Sequence, residues 1–127
     1  MGRDFCDIGA ERRAMLQRAG LPVDALPNVE ELANRLLPGG VRVMCARTWG
    51  AAQGVRLVHL VWGGHTVQVR EGLPREERRE GVARCLATWW LGRLPGWNVC
   101  PDREGMILRL GRAILEDRAE APSALLG

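Results

Sequence analysis

An α+β fold is predicted for this chain: two N-terminal helices, a small and mainly antiparallel sheet, a central helix and a C-terminal helix. Three observations predict it. The stretch Arg75–Arg93 (REERREGVARCLATWWLGR) places apolar residues at Val82, Leu86, Trp89 and Trp90, the three-and-four spacing of a buried helical stripe. The stretch Val55–Arg70 reads as a hairpin, two apolar or alternating runs joined at Gly63-Gly64. Helix-like and strand-like segments are also grouped along the chain and do not alternate, which favours α+β over a parallel α/β sheet.

Each element has its own signals. The first helix is expected over about Asp7–Ala19, with Ile8, Met15, Leu16 and Ala19 apolar and Gly20 and Pro22 ending it. Asn28 and Glu31 form an Asn-x-x-Glu capping box for a second helix, Val29–Leu37, which buries Val29, Leu32, Ala33 and Leu36. Pro38-Gly39-Gly40 stops it. Val41–Arg47 is a strand with valines at alternate positions. Val55–Trp62 (VRLVHLVW) is almost continuously apolar, so it is expected to be an inner strand. After the two glycines, His65–Arg70 alternates, with Val67 and Val69 on one face and Thr66, Gln68 and Arg70 on the other. Pro74 opens the central helix, about 75–93, and Glu76 and Glu77 suit its positive end. Asp102 caps a last helix, about 103–118, that carries Met106, Ile107, Leu110, Ile114 and Leu115. Gly105 and Gly111 weaken that helix by about 1 kcal/mol each. No repeat or long linker interrupts the chain, so 127 residues and 14.0 kDa are read as one domain, 1–127.

Composition narrows the chemistry. No run approaches the roughly 18 apolar residues of a membrane span, and the first residues lack a signal-peptide core, so a cytoplasmic chain is expected. Cys6, Cys45, Cys85 and Cys100 never form a Cys-x-x-Cys pair, which argues against a structural zinc site. All 18 basic residues are arginine, a usage that looks like GC-rich bacterial or phage coding. The net charge is only +3, and glutamates intersperse the arginines at Arg12-Arg13 and Arg75–Arg79, so solvated helix faces are favoured over a nucleic-acid surface. The two histidines, His59 and His65, flank the glycine pair and lack further ligands between them. Ser123 is the only serine and is far from both in sequence, so no serine triad is available. Cys85 would be a nucleophile only if a neighbour stabilised its thiolate, and packing is the simpler role. No self-evident active site emerges.

A family resemblance enters at the central helix. In the ImmA/IrrE-type zinc metallopeptidases, which cleave helix-turn-helix repressors, two helices and a small sheet precede a helix bearing A-H-E-x-x-H-x-x-L-G. The run Ala83-Arg84-Cys85-Leu86-Ala87-Thr88-Trp89-Trp90-Leu91-Gly92 is similar to it, with Arg78-Arg79 near the family's arginines. A later glutamate motif is matched by Glu116-Asp117-Arg118-Ala119 and Ser123–Leu126. The resemblance spans about Arg12 to Leu126. It implies a degenerate member, because Arg84 and Thr88 replace the zinc-binding histidines and Cys85 the general-base glutamate. A guanidinium repels a divalent cation, and threonine is a poor zinc ligand. The implied protein binds no metal or cofactor and is not an enzyme, and Arg84 would either pair with Glu116 to fill the vacant site or reach solvent.

Two functions follow. The first is a non-catalytic regulatory or protein-binding module, a pseudoenzyme whose partner is a bacterial or phage regulator. The strand His65–Arg70 would border its cleft and accept a partner segment. His65, Val67, Arg70, Arg78, Arg79 and Trp97 are the contact candidates, while Trp89 or Trp90 is expected to be buried because the chain has one phenylalanine and no tyrosine. The alternative is nucleic-acid binding through Arg70, Arg75, Arg78 and Arg79.

Overall fold

Asp7, Asn28 and Asp102 each start a helix. In the computed structural model, which describes residues 5–49 and 54–116, their side-chain oxygens accept from the amides of Ala10, Glu31 and Gly105 at 3.2, 3.0 and 3.1 Å. The helices are α1 (Ile8–Ala19), α2 (Val29–Leu36), α3 (Arg75–Gly92) and α4 (Arg103–Leu115). The strands are β1 (Val41–Met44), β2 (Val55–His59) and β3 (His65–Arg70). The architecture is α+β, as expected. Gly20 ends α1 with φ 75°, the left-handed conformation that suits glycine. The capping box of α2 is only half formed, because the Glu31 carboxylate turns to Arg35 at 2.9 Å.

The sheet differs from the expectation in four ways. Its order is β1-β3-β2, with β1 parallel to β3 and β2 antiparallel to it, so one of the two pairings is parallel. β2 is therefore an edge strand, and β3 is the inner one. The run VRLVHLVW misled because its apolar residues serve two ends. Val55 and Leu57 pack against the core, whereas Val61 and Trp62 are 94% and 74% exposed at the hairpin tip. The turn also runs through Val61–Gly63 and is not a two-residue Gly63-Gly64 turn. Leu60 N donates to Gly64 O at 2.9 Å and Gly63 N to Leu60 O at 3.0 Å, with positive φ at both glycines. β1 stops at Met44, and a 3₁₀ turn at Ala46–Thr48 replaces its expected end.

Register fixes which side chains share a face. Val55, Val69 and Val43 lie in one row across the sheet, and Leu57, Val67 and Val41 in the next. All of these but the exposed Val43 pack into the core beneath α3, whose Gly81 comes so close that a Cβ there would lie 2.5 Å from Val55 Cγ2. α3 is enclosed on several sides: Val82, Ala83, Cys85, Leu86, Ala87, Trp90 and Leu91 are all buried. Trp90 meets the expectation of a buried tryptophan, and its indole Nε1 donates to Glu11 Oε1 at 2.7 Å, tying α3 to α1. α4 lies against α3 with Gly111 at the contact, where a Cβ would be 3.7 Å from Arg84 Cα. Met15, Leu16, Leu32, Val67, Val69, Leu86, Met106, Leu110 and Ile114 form the centre of the shared core.

α4 ends at Leu115 and not near residue 118, since Glu116 is extended at φ −102°, ψ 144°. Arginines cap its last carbonyls. Arg12, buried in α1, donates to Ala113 O at 2.8 Å and to Glu116 O at 3.2 Å, and Arg79 donates to Leu115 O at 2.9 Å. The remainder of the Glu116 motif, from Asp117 through Ser123–Leu126, lies outside the described residues. Among the described residues no helix is long and apolar enough to cross a membrane.

Candidate functional site

The enclosure of α3 has one polar seam. Glu77, Glu80, Arg84 and Thr88 recur at helical spacing on one side, and that side faces a groove of about 520 Å³ between α3 and β2. Val55, Leu57 and Leu73 give it an apolar wall, while Gly81 and Cys85 form part of its α3 side. Positions 84, 85 and 88, which the resemblance marks as the degenerate site, thus share one groove. The fourth position does not join them. Glu116 borders a separate depression of about 510 Å³ between α3 and α4, and of the other three only Arg84 borders it as well.

The chemistry of each group is already committed. The Arg84 guanidinium pairs with Glu104, in the first turn of α4. The expected Arg84–Glu116 pair is therefore not formed, because the carboxylate on the first turn of α4 takes the guanidinium instead. Thr88 Oγ1 donates to Arg84 O at 2.9 Å, so its hydroxyl serves its own helix. Burial pushes the Cys85 thiol up to about 11, and nearby Arg84 offsets this only in part. A thiol so placed is protonated at neutral pH and is a poor nucleophile.

Zinc does not fit these residues. A paired guanidinium and a spent hydroxyl stand where imidazoles would be needed, and among the described residues no three His, Cys, Asp or Glu side chains converge. Glu77 and Glu80 are the charged groups of the seam with no ion pair among the described residues, so one end of the groove favours a basic ligand group.

An open backbone edge runs beside the groove. The bonds from Leu60 N to Gly64 O and from Arg70 N to Gly54 O, at 2.9 and 2.8 Å, bracket the β2–β3 ladder. With the register Arg56↔Gln68 and Val58↔Thr66, the even-numbered residues of β2 exchange bonds with β3. Val55, Leu57 and His59 consequently turn their N–H and C=O groups outward. The opposite edge is less open, because Asn34 Oδ1 accepts from Val41 N at 2.8 Å.

The contact candidates named from sequence do not form one surface. β3 is bonded on both sides, so strand addition to His65–Arg70 is excluded, and Val67 is 0% exposed and touches no partner. His65 lies opposite His59, ring centroids 4.9 Å apart, and burial together with His59 holds its pKa below the usual histidine value. Arg78 is tied to Glu30, with a second bond from Nη2 to Oε1 at 2.8 Å. Arg79 is committed to the end of α4. Trp97 packs edge-on against Phe5 at 5.6 Å. Arg70 lies on the face turned away from α3. Sequence reading missed the β2 edge and the exposed Trp62; Gly81, a glycine inside a helix opposite a strand valine, was the available signal for the close α3–β2 approach.

No protein-family model matches the chain, and no curated protein or solved structure matches it either.

Proposed function

We propose that this protein is a non-catalytic protein-binding module that takes up an extended segment of a partner along the free edge of β2. The observation that supports this reading is the pairing of a strand edge that no described residue bonds with a groove in which positions 84, 85 and 88 are already committed. A segment added to β2 would gain main-chain bonds at Val55, Leu57 and His59. Its alternate side chains would enter the groove toward Val55, Leu57 and Thr88. The unpaired Glu77 and Glu80 favour lysine or arginine next to those apolar side chains. The partner class proposed, from the ImmA/IrrE-type resemblance, is a bacterial or phage regulator, met in the cytoplasm by a module that is a pseudoenzyme.

Selection of linear peptides displayed on phage tests the reading, with the full chain as target and a Thr88→Trp variant as counter-target. Micromolar peptides with alternating apolar residues and a neighbouring basic residue are expected, binding Thr88→Trp at least tenfold more weakly while its unfolding midpoint is unchanged. Failure to enrich any peptide, or equal binding to both proteins, would contradict the proposal.

A further inference from the structure

The sheet face turned away from α3 carries the even-numbered strand positions: Arg42 and Met44 on β1, Arg56 and Val58 on β2, and Gln68 and Arg70 on β3, while Thr66 on the same face is buried and donates to the carbonyls of Gly39 and Gly40. Three of these are arginines and none is acidic. Arg42, Gln68 and Arg56 form one row straight across the three strands, and Arg70 begins the next row. Neighbouring strands are about 4.8 Å apart, so the row sets two guanidinium-bearing positions about 10 Å apart on a nearly flat surface.

Two of the arginines elsewhere that were candidates for nucleic-acid contact are consumed internally, Arg78 by Glu30 and Arg79 by the Leu115 carbonyl, and the third, Arg75, stands exposed at the start of α3. On this face the situation is reversed. Arg42 and Arg70 have no ion pair with any described residue. Arg56 is held by its Nε, which donates to Gln68 Oε1 at 2.8 Å, and its guanidinium carbon lies 4.2 Å from the centre of the Trp49 ring. Those contacts orient the guanidinium plane and leave both Nη groups unbonded among the described residues. Glu71, the carboxylate that follows Arg70, is occupied by the Ala46 amide at 3.0 Å.

We infer that this face binds single-stranded nucleic acid. The charge complementarity is with a polyanion: Arg42 and Arg70 meet phosphates, and the Arg56 plane, backed by Trp49, offers a surface on which a base stacks. A flat face three short strands wide suits a pliable single strand that can follow it and turn its bases inward.

Fluorescence anisotropy with a short labelled oligothymidylate, using the full chain, is the test. Two phosphate contacts predict that affinity falls about sevenfold between about 50 and 200 mM salt. The Arg42→Glu/Arg70→Glu pair should weaken binding tenfold or more. An Arg13→Glu/Arg18→Glu pair on α1, with the same change in net charge, should stay within twofold of the parent. The inference is overturned by no binding at low salt, or by equal loss in both variants, which would reflect net charge alone. Tighter binding of a duplex would overturn it too, as would competition by polyglutamate at the same charge concentration, which would assign the face to an acidic protein.

Discussion

Arg12 and Arg13 are neighbours of identical type, and the fold uses them in opposite ways. Arg12 is 6% exposed and holds four carbonyls, those of Ala113, Val23, Ala25 and Glu116, at 2.8 to 3.3 Å. It fastens α1 to the end of α4 and to the loop before α2. Arg13 is exposed and makes no bond to a described residue. Arg12→Met would leave those carbonyls without their charged donor and is expected to cost about 3 kcal/mol of stability. Lysine should recover only part of that, since one ammonium cannot reproduce the planar fork. Arg13→Met should change stability by less than about 0.5 kcal/mol. Urea unfolding of the three variants checks the order, and equal effects at positions 12 and 13 would contradict it. Helical spacing puts Arg12 in line with Ile8, Met15, Leu16 and Ala19 and leaves Arg13 outside that stripe, but it does not say which carbonyls Arg12 meets. That is set by where a helix a hundred residues later ends, which no window around Arg12 contains.

Among elements, the helices were legible and the sheet only in part. Caps at Asp7, Asn28 and Asp102, the Gly20 stop and the apolar spacing of α3 are local, and they fixed helix starts to within a residue. Strand order is not local. The apolar content of Val55–Trp62 suggested an inner strand, yet it is divided between a core-facing edge strand and an exposed hairpin tip. The candidate site suffered accordingly: positions 84, 85 and 88 share a groove because helical spacing is local, whereas the partner strand and the position of Glu116 depend on how distant elements dock.

Glycines show the same contrast and can be tested. Gly111 has room, the nearest described atom to an added Cβ being 3.7 Å away, so Gly111→Ala should stabilise by about 0.5–1 kcal/mol through helix propensity. Gly81 has none, with Val55 Cγ2 and Cβ 2.5 and 2.7 Å from the added carbon. Gly81→Ala should destabilise by about 1 kcal/mol or more, overpacking outweighing the same propensity gain. Thermal unfolding of both variants in one buffer gives the signs; a stabilising Gly81→Ala would mean that α3 and β2 are not in the close contact described.

At the scale of the molecule, the small sheet separates two surfaces of different character. One side meets α3 and opens laterally into the groove, with a strand edge beside it that no described residue occupies. The other presents Arg42 and Arg70 with no ion pair to a described residue. The account rests most heavily on the first, on the claim that β2 is an edge left open for a partner. Residue-resolved hydrogen exchange of the full chain, with and without a selected peptide, reads that edge directly. The account predicts that the amides of Val55, Leu57 and His59 slow at least tenfold on binding while the outward amide of Val43 on the opposite edge is unchanged. Unaltered exchange at those three positions with saturating peptide, or protection concentrated on β1 instead, would contradict it.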